Sequence, residues 1–541
     1  MRSRHADSSL PAFGGGFGEG GRAAATAMNL GRLLTQTARR DPDRPALVWR
    51  DRTWTFAELD ARVDRLAQAL RGLGVGKGDR VLVHSRNTNA MFESTFACFK
   101  IGAVWVPTNY RLTPVEVAYL GASSRAVVML RDAGFAEHAA AVRDANRHLR
   151  HVIAVGDAGA GEQDYESLLA TATRPPPDHE ADVDYADACW FFYTSGTTGR
   201  PKAAVLTHGQ MGFVVTNHLA DLMPGTTERD ASLVVAPLSH GAGIHQLAQV
   251  ARGAATILLS GEKLDPEDAF SLIARHRVSN MFCVPTILTA LVRHAAVDRH
   301  DHSSLRHVIY AGAPMYESDQ AEALRKLGPC LVQYFGLGEV TGNITILRPD
   351  QHLPENAGSC GIARTGMDIA IQAEDGTRLP PGGIGEICVR GPAVFAGYFE
   401  NDEADRKAFA GGWFHTGDLG RLDARGFLFI TGRASDMYIS GGSNVYPREA
   451  EEAILTHPAI AEAAVVGLPH PKWGEAGVAC IVCREGMSVT EAEILAHLAP
   501  RLARYKQPLR VVVWDALPKS GYGKVPKSLI RARLAGDGVG F

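Results

Sequence analysis

Residues 193–208 read YTSGTTGRPKAAVLTH, and the fold and the chemistry of the chain turn on how this stretch is read. Four hydroxyl side chains (Thr194, Ser195, Thr197, Thr198) alternate with two glycines (Gly196, Gly199), and Pro201 and Lys202 follow. Apolar, strand-like runs flank them at 189–192 and 203–206. Glycines let backbone N–H groups curve around an anion. Hydroxyls add donors that rotate toward phosphate oxygens, and lysine adds a point charge. One reading is therefore a strand–turn–strand unit that holds a nucleotide's phosphates. The competing reading is a flexible Ser/Thr/Gly turn. A Walker A loop is excluded, because no Lys-Ser/Thr pair stands where that pattern requires one.

Outward from this loop the sequence reads as α/β. Apolar, strand-like runs at 80–83, 126–130, 152–155, 233–236, 256–259, 280–284, 307–311 and 331–335 are separated by helical segments. Such alternation means parallel sheets with helices packed on them. The strands are too many for one ordinary sheet, so two stacked α/β subdomains are expected. Thr55 and Glu58 form a capping-box pair. Leu59, Val63, Leu66, Leu70 and Leu73 continue it as one buried helix stripe, which Gly74 ends. After about Asn343 the texture changes to short strands such as 386–389, punctuated by Asp375-Gly376, Pro381-Gly382-Gly383, Gly391 and Gly397. This reads as a small β-barrel-like subdomain. The last hundred residues or so read as a compact α+β domain, with strands at 463–466, 479–482 and 511–514. Thr490 and Glu493 cap a helix expected to run to about Leu502. Residues 1–27 are Gly/Ala-rich without periodicity and read as a disordered tail. Gly16, Gly18 and Gly21 match G-x-G-x-x-G but follow no strand, so the match carries no meaning.

The 541 residues carry a net charge of −3 and 45% hydrophobic residues, which suits large cores and gives no sign of a nucleic-acid partner. No apolar run is long enough to span a membrane, and no hydrophobic region follows Arg2 and Arg4 as a signal peptide requires. Eight scattered cysteines suggest a reducing compartment and hence the cytoplasm. Cys480 and Cys483 form a C-x-x-C inside an apolar strand and read as core thiols.

Five further segments matter with the loop: Gly312-Ala313-Pro314 after a strand; QYFGLGEVTG at 333–342; GWFHTGDLG at 412–420; Gly432-Arg433 with Asp436; and LPKSGYGK at 517–524. Singly each has a bland alternative: a strand-ending turn, a surface acid, an Asx-turn, a basic tail. Together, in this order, they resemble the signature set of the adenylate-forming enzymes, the superfamily of acyl-CoA synthetases, luciferases and peptide-synthetase adenylation domains. The resemblance covers roughly 28–535.

It implies a large N-terminal domain at 28–434 and a small mobile C-terminal lid at 435–541 that turns about Ser435, where the family usually carries Asp or Lys. ATP and AMP would be bound by Thr194, Ser195, Gly196, Thr197, Thr198, Gly199, Lys202, Gly312, Ala313, Pro314, Phe335, Gly336, Asp418 and Arg433. Phe335 would stack on adenine and Asp418 would accept from both ribose hydroxyls. Glu339, with Thr198, would hold Mg²⁺. Lys524 would neutralise charge that builds in the adenylation transition state. His240 would gate the tunnel for CoA, and Gly441 and Gly442 would face that tunnel in the thioester-forming pose. A metal pair of His240 with His245 is not expected, since no third ligand is in view. One departure stands out. Gly338 occupies the place of a family threonine whose hydroxyl reaches the α-phosphate; the contact is lost, which would slow adenylation or widen the acyl pocket, or a neighbour supplies it, with Thr341 and Thr345 as candidates.

By the same resemblance, segments 240–244, 280–285, 310–312 and 337–342 would line the acyl pocket. They hold small or apolar side chains and no arginine or lysine, which suits an acid without a second carboxylate. With no carrier domain fused on, CoA is the expected acceptor, and a homodimer is compatible with the family. The expected activity is an AMP-forming acid–thiol ligase that makes an acyl-adenylate and then an acyl-CoA, as in fatty acid metabolism. The alternatives are adenylation with a carrier protein or oxygen as acceptor, and a nucleotide-binding homologue impaired in catalysis.

Overall fold

The computed structural model describes residues 28–176, 179–195, 200–313, 315–519 and 525–541. The segment 1–27, read above as a tail, lies outside them. The described residues form four sheets. The first has seven strands, parallel through Arg80–His84, Val104–Thr108 and their neighbours, and it ends in the antiparallel hairpin Ala188–Ser195 and Pro201–Thr207. Its core is locked by Trp105 and Trp190, both fully buried and packed edge to face at 4.5 Å.

The second sheet has nine strands. Six run parallel: Pro45–Trp49, Ala255–Leu258, Ala231–Val234, Asn280–Cys283, His307–Tyr310 and Leu331–Phe335. Its two margins are not legible as such in the sequence. The hairpin Pro45–Trp49 and Arg52–Thr55 joins one margin, with Leu47 and Val48 beside Thr256 and Ile257. Thr345–Leu347 and Ile362–Ala363 add antiparallel strands at the other, so the sheet continues past Asn343, where the sequence changes texture.

The smaller sheets follow in chain order. A four-stranded antiparallel sheet comprises Asp368–Gln372, Gly385–Arg390, Phe414–Leu422 and Leu428–Arg433. The five-stranded sheet of the C-terminal part begins at Tyr438–Ser440 and is dominated by the long pair Ile460–His470 and Gly474–Cys483. Local signals set the element ends. Helix Phe56–Gly72 carries the Thr55–Glu58 capping box in both directions. Helix Glu491–Leu498 carries the Thr490–Glu493 box but stops short of Leu502. The reason is Pro500, which has no N–H to donate to the Ala496 carbonyl and so breaks the helical ladder, although Ala499 before it keeps helical angles. Cys480 is fully buried and all eight cysteines are free thiols.

Candidate active site

The hairpin of the first sheet places its two polar ends side by side, with Thr194 paired with Lys202 across the strands. Thr194 Oγ1 donates to Glu339 Oε1 at 2.8 Å. Glu339 is 5% exposed and sits in the short turn Gly338–Val340, just past the strand Leu331–Phe335. A third residue completes this group. Tyr398 donates its phenol to the same Glu339 oxygen at 2.9 Å, while Lys202 Nζ lies 4.5 Å over its ring. Burial, and then the Glu339 carboxylate, push the Tyr398 phenol well above its ordinary range. Tyr398 was not among the expected site residues. No motif surrounds it, and its place is set by an isolated bridge to Ala204.

The loop after Leu331–Phe335 is tight because two glycines meet. A Cβ on Gly336 would lie 2.4 Å from Gly342 Cα. This fold-back leaves the half-buried Phe335 at the rim of the cleft. The two threonines expected to replace the family hydroxyl are already engaged. Thr345 is fully buried, accepts from Phe335 N and donates to the Cys360 carbonyl at 2.5 Å. Thr341 donates to the Val340 carbonyl and accepts from Asn343. The space in front of Gly338 is filled from another side: a Cβ there would lie 2.5 Å from Phe192 Cδ1 and 2.8 Å from Thr194 Cγ2.

Asp418 and Arg433 are cross-strand partners in the four-stranded sheet, and Arg433 Nε is 3.2 Å from Asp418 Oδ1. Asp418 is 6% exposed, its N–H donates to Thr416 Oγ1, and Gly417 before it has φ of +74°. Glu386 braces this turn. One carboxylate oxygen accepts from Gly417 N and the other faces His415 Nδ1 at 2.8 Å. Cys388 completes a group whose ligand atoms lie within 4.8 Å, but here they serve this hydrogen-bonded brace.

One cleft of about 2540 Å³ joins these pieces. Thr194, Lys202, His240, Gly312, Ala313, Phe335, Gly336, Glu339, Asp418, Arg433 and Ser435 all line it. Ser435 lies in the exposed turn between the last strand of the four-stranded sheet and Tyr438–Ser440. From the C-terminal part, Lys519, Val525 and Pro526 border the cleft on either side of residues 520–524. Lys524, Pro314, Gly196, Thr197, Thr198, Gly199 and the side chain of Ser195 lie outside what is described. Gly441 and Gly442 are not brought to the cleft. They turn a hairpin, with φ of +56° and +82°, and Trp473 packs on Gly441.

At the acyl end, His240 caps helix Gly241–Arg252 and its Nδ1 is 2.8 Å from Ser239 Oγ. His245 does not join it. It is buried with Asn280 and Gln249, and burial lowers its imidazole to about 4. Gly241, Ile244, Phe282, Val284 and Leu337 form cleft walls, whereas Asn280 and the fully buried Tyr310 do not. Arg364 sits one layer behind, fully buried against the Gly342 carbonyl and Asp221.

Comparison with known proteins adds the last observation. The chain matches the family model described as AMP-binding enzyme over residues 34–399, and the AMP-binding enzyme C-terminal domain over 449–524. It is 38% identical to a feruloyl-CoA synthase from Amycolatopsis sp over 93% of this chain and 99% of that one. It is 33% identical to a medium/long-chain-fatty-acid–CoA ligase from Mycobacterium tuberculosis over 94% and 91%. The structure of an anthranilate CoA ligase in complex with anthranoyl-AMP superimposes with a TM-score of 0.86 at 26% identity, covering 95% and 98% of the two chains. With the cleft residues in family order and both family models matched, this chain belongs to the AMP-binding enzymes of the adenylate-forming superfamily.

Proposed function

We propose that the cleft is the working centre of an ATP-dependent carboxylate–CoA ligase, with roles divided among the residues described above. The chain is an acid–thiol ligase that uses ATP and CoA as co-substrates. In the first half-reaction a carboxylate oxygen attacks the α-phosphorus of ATP. The bond to the bridging oxygen breaks, and acyl-adenylate and pyrophosphate result. In the second, the CoA thiolate attacks the acyl carbonyl and AMP leaves with the electron pair.

The hairpin loop from Thr194 to Lys202 holds the phosphates. Phe335 offers its ring to adenine, and Asp418, oriented by Arg433 and the Glu386 brace, accepts from the ribose. Lys524, next to the cleft-lining Val525, meets the charge that develops on the α-phosphate. The residues also fit Mg²⁺. Glu339 is a buried carboxylate that accepts from two hydroxyls, Thr194 and Tyr398, and among the described residues no basic group forms an ion pair with it. A buried anion so placed suits a hard cation, with Thr198 as a second ligand. When bound, that ion offsets the charge of the phosphates. The acid lies against the walls beyond His240 formed by Gly241, Ile244, Phe282, Val284 and Leu337, and none of these described residues is cationic. Free thiols throughout suit a cytoplasmic setting. Among the described residues no helix is long and apolar enough to cross a membrane.

The observation that carries this reading is the convergence of Thr194, Glu339, Asp418 and the flanks of residues 520–524 on one cleft. Lys524→Ala tests it. Carboxylate-dependent ATP–pyrophosphate exchange should fall by about 100-fold or more. Thioester formation from supplied acyl-adenylate and CoA should persist. Equal loss of both steps would refute the assignment of separate poses to the two half-reactions. AMP release that is indifferent to CoA would point to another acceptor.

A further inference from the structure

Gly338 is not demanded by its backbone. It opens a short 3-10 turn without a left-handed φ, so any side chain could adopt its conformation. What forbids one is space. A Cβ at 338 would lie 2.5 and 2.7 Å from Cδ1 and Cε1 of Phe192, distances at which something must move. Away from the cleft that it lines, the ring has little room to retreat. Behind it, at 6.1 Å between centroids, stands Trp190, itself fully buried and wedged against Trp105. On its other side Phe192 meets His240, ring to ring at 5.2 Å and 78°. Phe192 therefore stands between Thr194 and Glu339, which hold the phosphate end, and His240, which begins the acyl end. That is where the carboxyl carbon of a bound acid must join the α-phosphate.

The same construction recurs along the acyl wall. A Cβ on Gly241 would lie 2.8 Å from the Phe282 ring, and one on Gly342 would lie 2.4 Å from the Tyr334 ring. Phe282 and Tyr334 are themselves stacked at 5.8 Å with 19° between planes. Each ring is seated on a residue that has no side chain, so the walls are flat and their backing is rigid.

We propose that Phe192, admitted by Gly338, determines which acids this enzyme activates: it flattens the slot at the α-carbon. Acids with a planar, unsubstituted α-carbon (aryl and α,β-unsaturated carboxylic acids) enter, and acids branched at that carbon do not. The inference rests on the ligase reading above and refines it. A planar acid keeps its carboxylate in line with the α-phosphate while its faces lie on rings. A methyl group on a tetrahedral α-carbon projects out of that plane and onto the face of the Phe192 ring, which is backed by Trp190 and does not yield.

The test pairs 3-phenylpropenoic acid with 2-methyl-3-phenylpropanoic acid, whose methyl group stands on a tetrahedral α-carbon, in wild type, Phe192→Val, Gly338→Thr and the double variant. The wild type should favour the unmethylated acid in kcat/KM for thioester formation by about 10-fold or more, the range one methylene commands in a pocket. Phe192→Val should bring that ratio below about threefold, with the KM for ATP moving less than about twofold. Gly338→Thr alone should lower the thermal midpoint by several degrees, and Phe192→Val beside it should restore most of the loss, since the two side chains compete for one space. An active wild type that treats both acids alike, a ratio indifferent to Phe192→Val, or a Gly338→Thr protein as stable as wild type would each overturn this proposal while leaving the ligase reading intact. A wild type that forms no thioester from any acid of a broad panel would overturn the ligase reading and this proposal with it.

Discussion

The residue that most changes the picture of the phosphate end is Tyr398. It ties a carboxylate, Glu339, to a cation, Lys202, through its hydroxyl and its ring. Hydrogen bonds to charged groups contribute about 1.5–3 kcal/mol, and here the acceptor is nearly buried. Tyr398→Phe keeps the ring under Lys202 and removes the donor. The KM for Mg·ATP should rise by about 10-fold, the KM for CoA should stay put, and the thermal midpoint should move little. Steady-state kinetics with each substrate varied in turn will decide. An unchanged KM for Mg·ATP would mean that Thr194 alone orients the carboxylate.

At the scale of elements, Glu452 of helix Pro447–Leu455 lies in electrostatic contact with Glu317, which opens helix Glu317–Leu327. Burial, with Glu317 and Glu451 adding like charge, pushes its carboxyl up to about 7, although Arg448, 3.7 Å away, pulls the other way. The sign follows from proton binding. Between its ordinary value of 4.5 and about 7 the folded protein holds a proton here that the unfolded chain has lost. This group's favourable share is thus complete below the ordinary value and disappears as pH rises through about 7. Glu452→Gln cannot ionise. It should match wild type in thermal midpoint at about pH 5 and exceed it at about pH 8. Identical pH profiles for the two proteins would show that Glu452 does not titrate in this contact.

At the scale of the molecule, one cleft is shared by residues of the large part and by Lys519, Val525 and Pro526 of the small part, while Gly441 and Gly442 lie elsewhere. The sheets of the two parts are joined by the turn that contains Ser435, where Asp436 N and Met437 N both donate to the Arg433 carbonyl. If the small part presents different faces in the two half-reactions, this turn must change its backbone angles. Ser435→Pro restricts them, both at 435 and at Ala434 before it. Adenylate formation should then stay within about threefold of wild type, and thioester formation from supplied adenylate should drop by about tenfold or more. Equal effects on both half-reactions, measured separately, would count against a hinge at this turn.

Much of the protein was legible from one chain of letters because it depends on neighbours in that chain. Capping boxes at Thr55 and Thr490, the run of strands, and the polar loop between two apolar strands are local events, set by hydrogen bonds within a turn or by side-chain period. The cleft residues Thr194, Phe335, Glu339, Asp418 and Arg433 were legible because they sit in motifs. The rest was decided by folding. Tyr398 reaches Glu339 across 59 residues, and the hairpin at Pro45–Thr55 finds a sheet made by residues far downstream. Phe192 fills the space before Gly338, where the sequence alone suggested a missing hydroxyl or a wider acyl pocket. These depend on which volumes and polar atoms meet when distant segments pack, and local pattern carries no record of that.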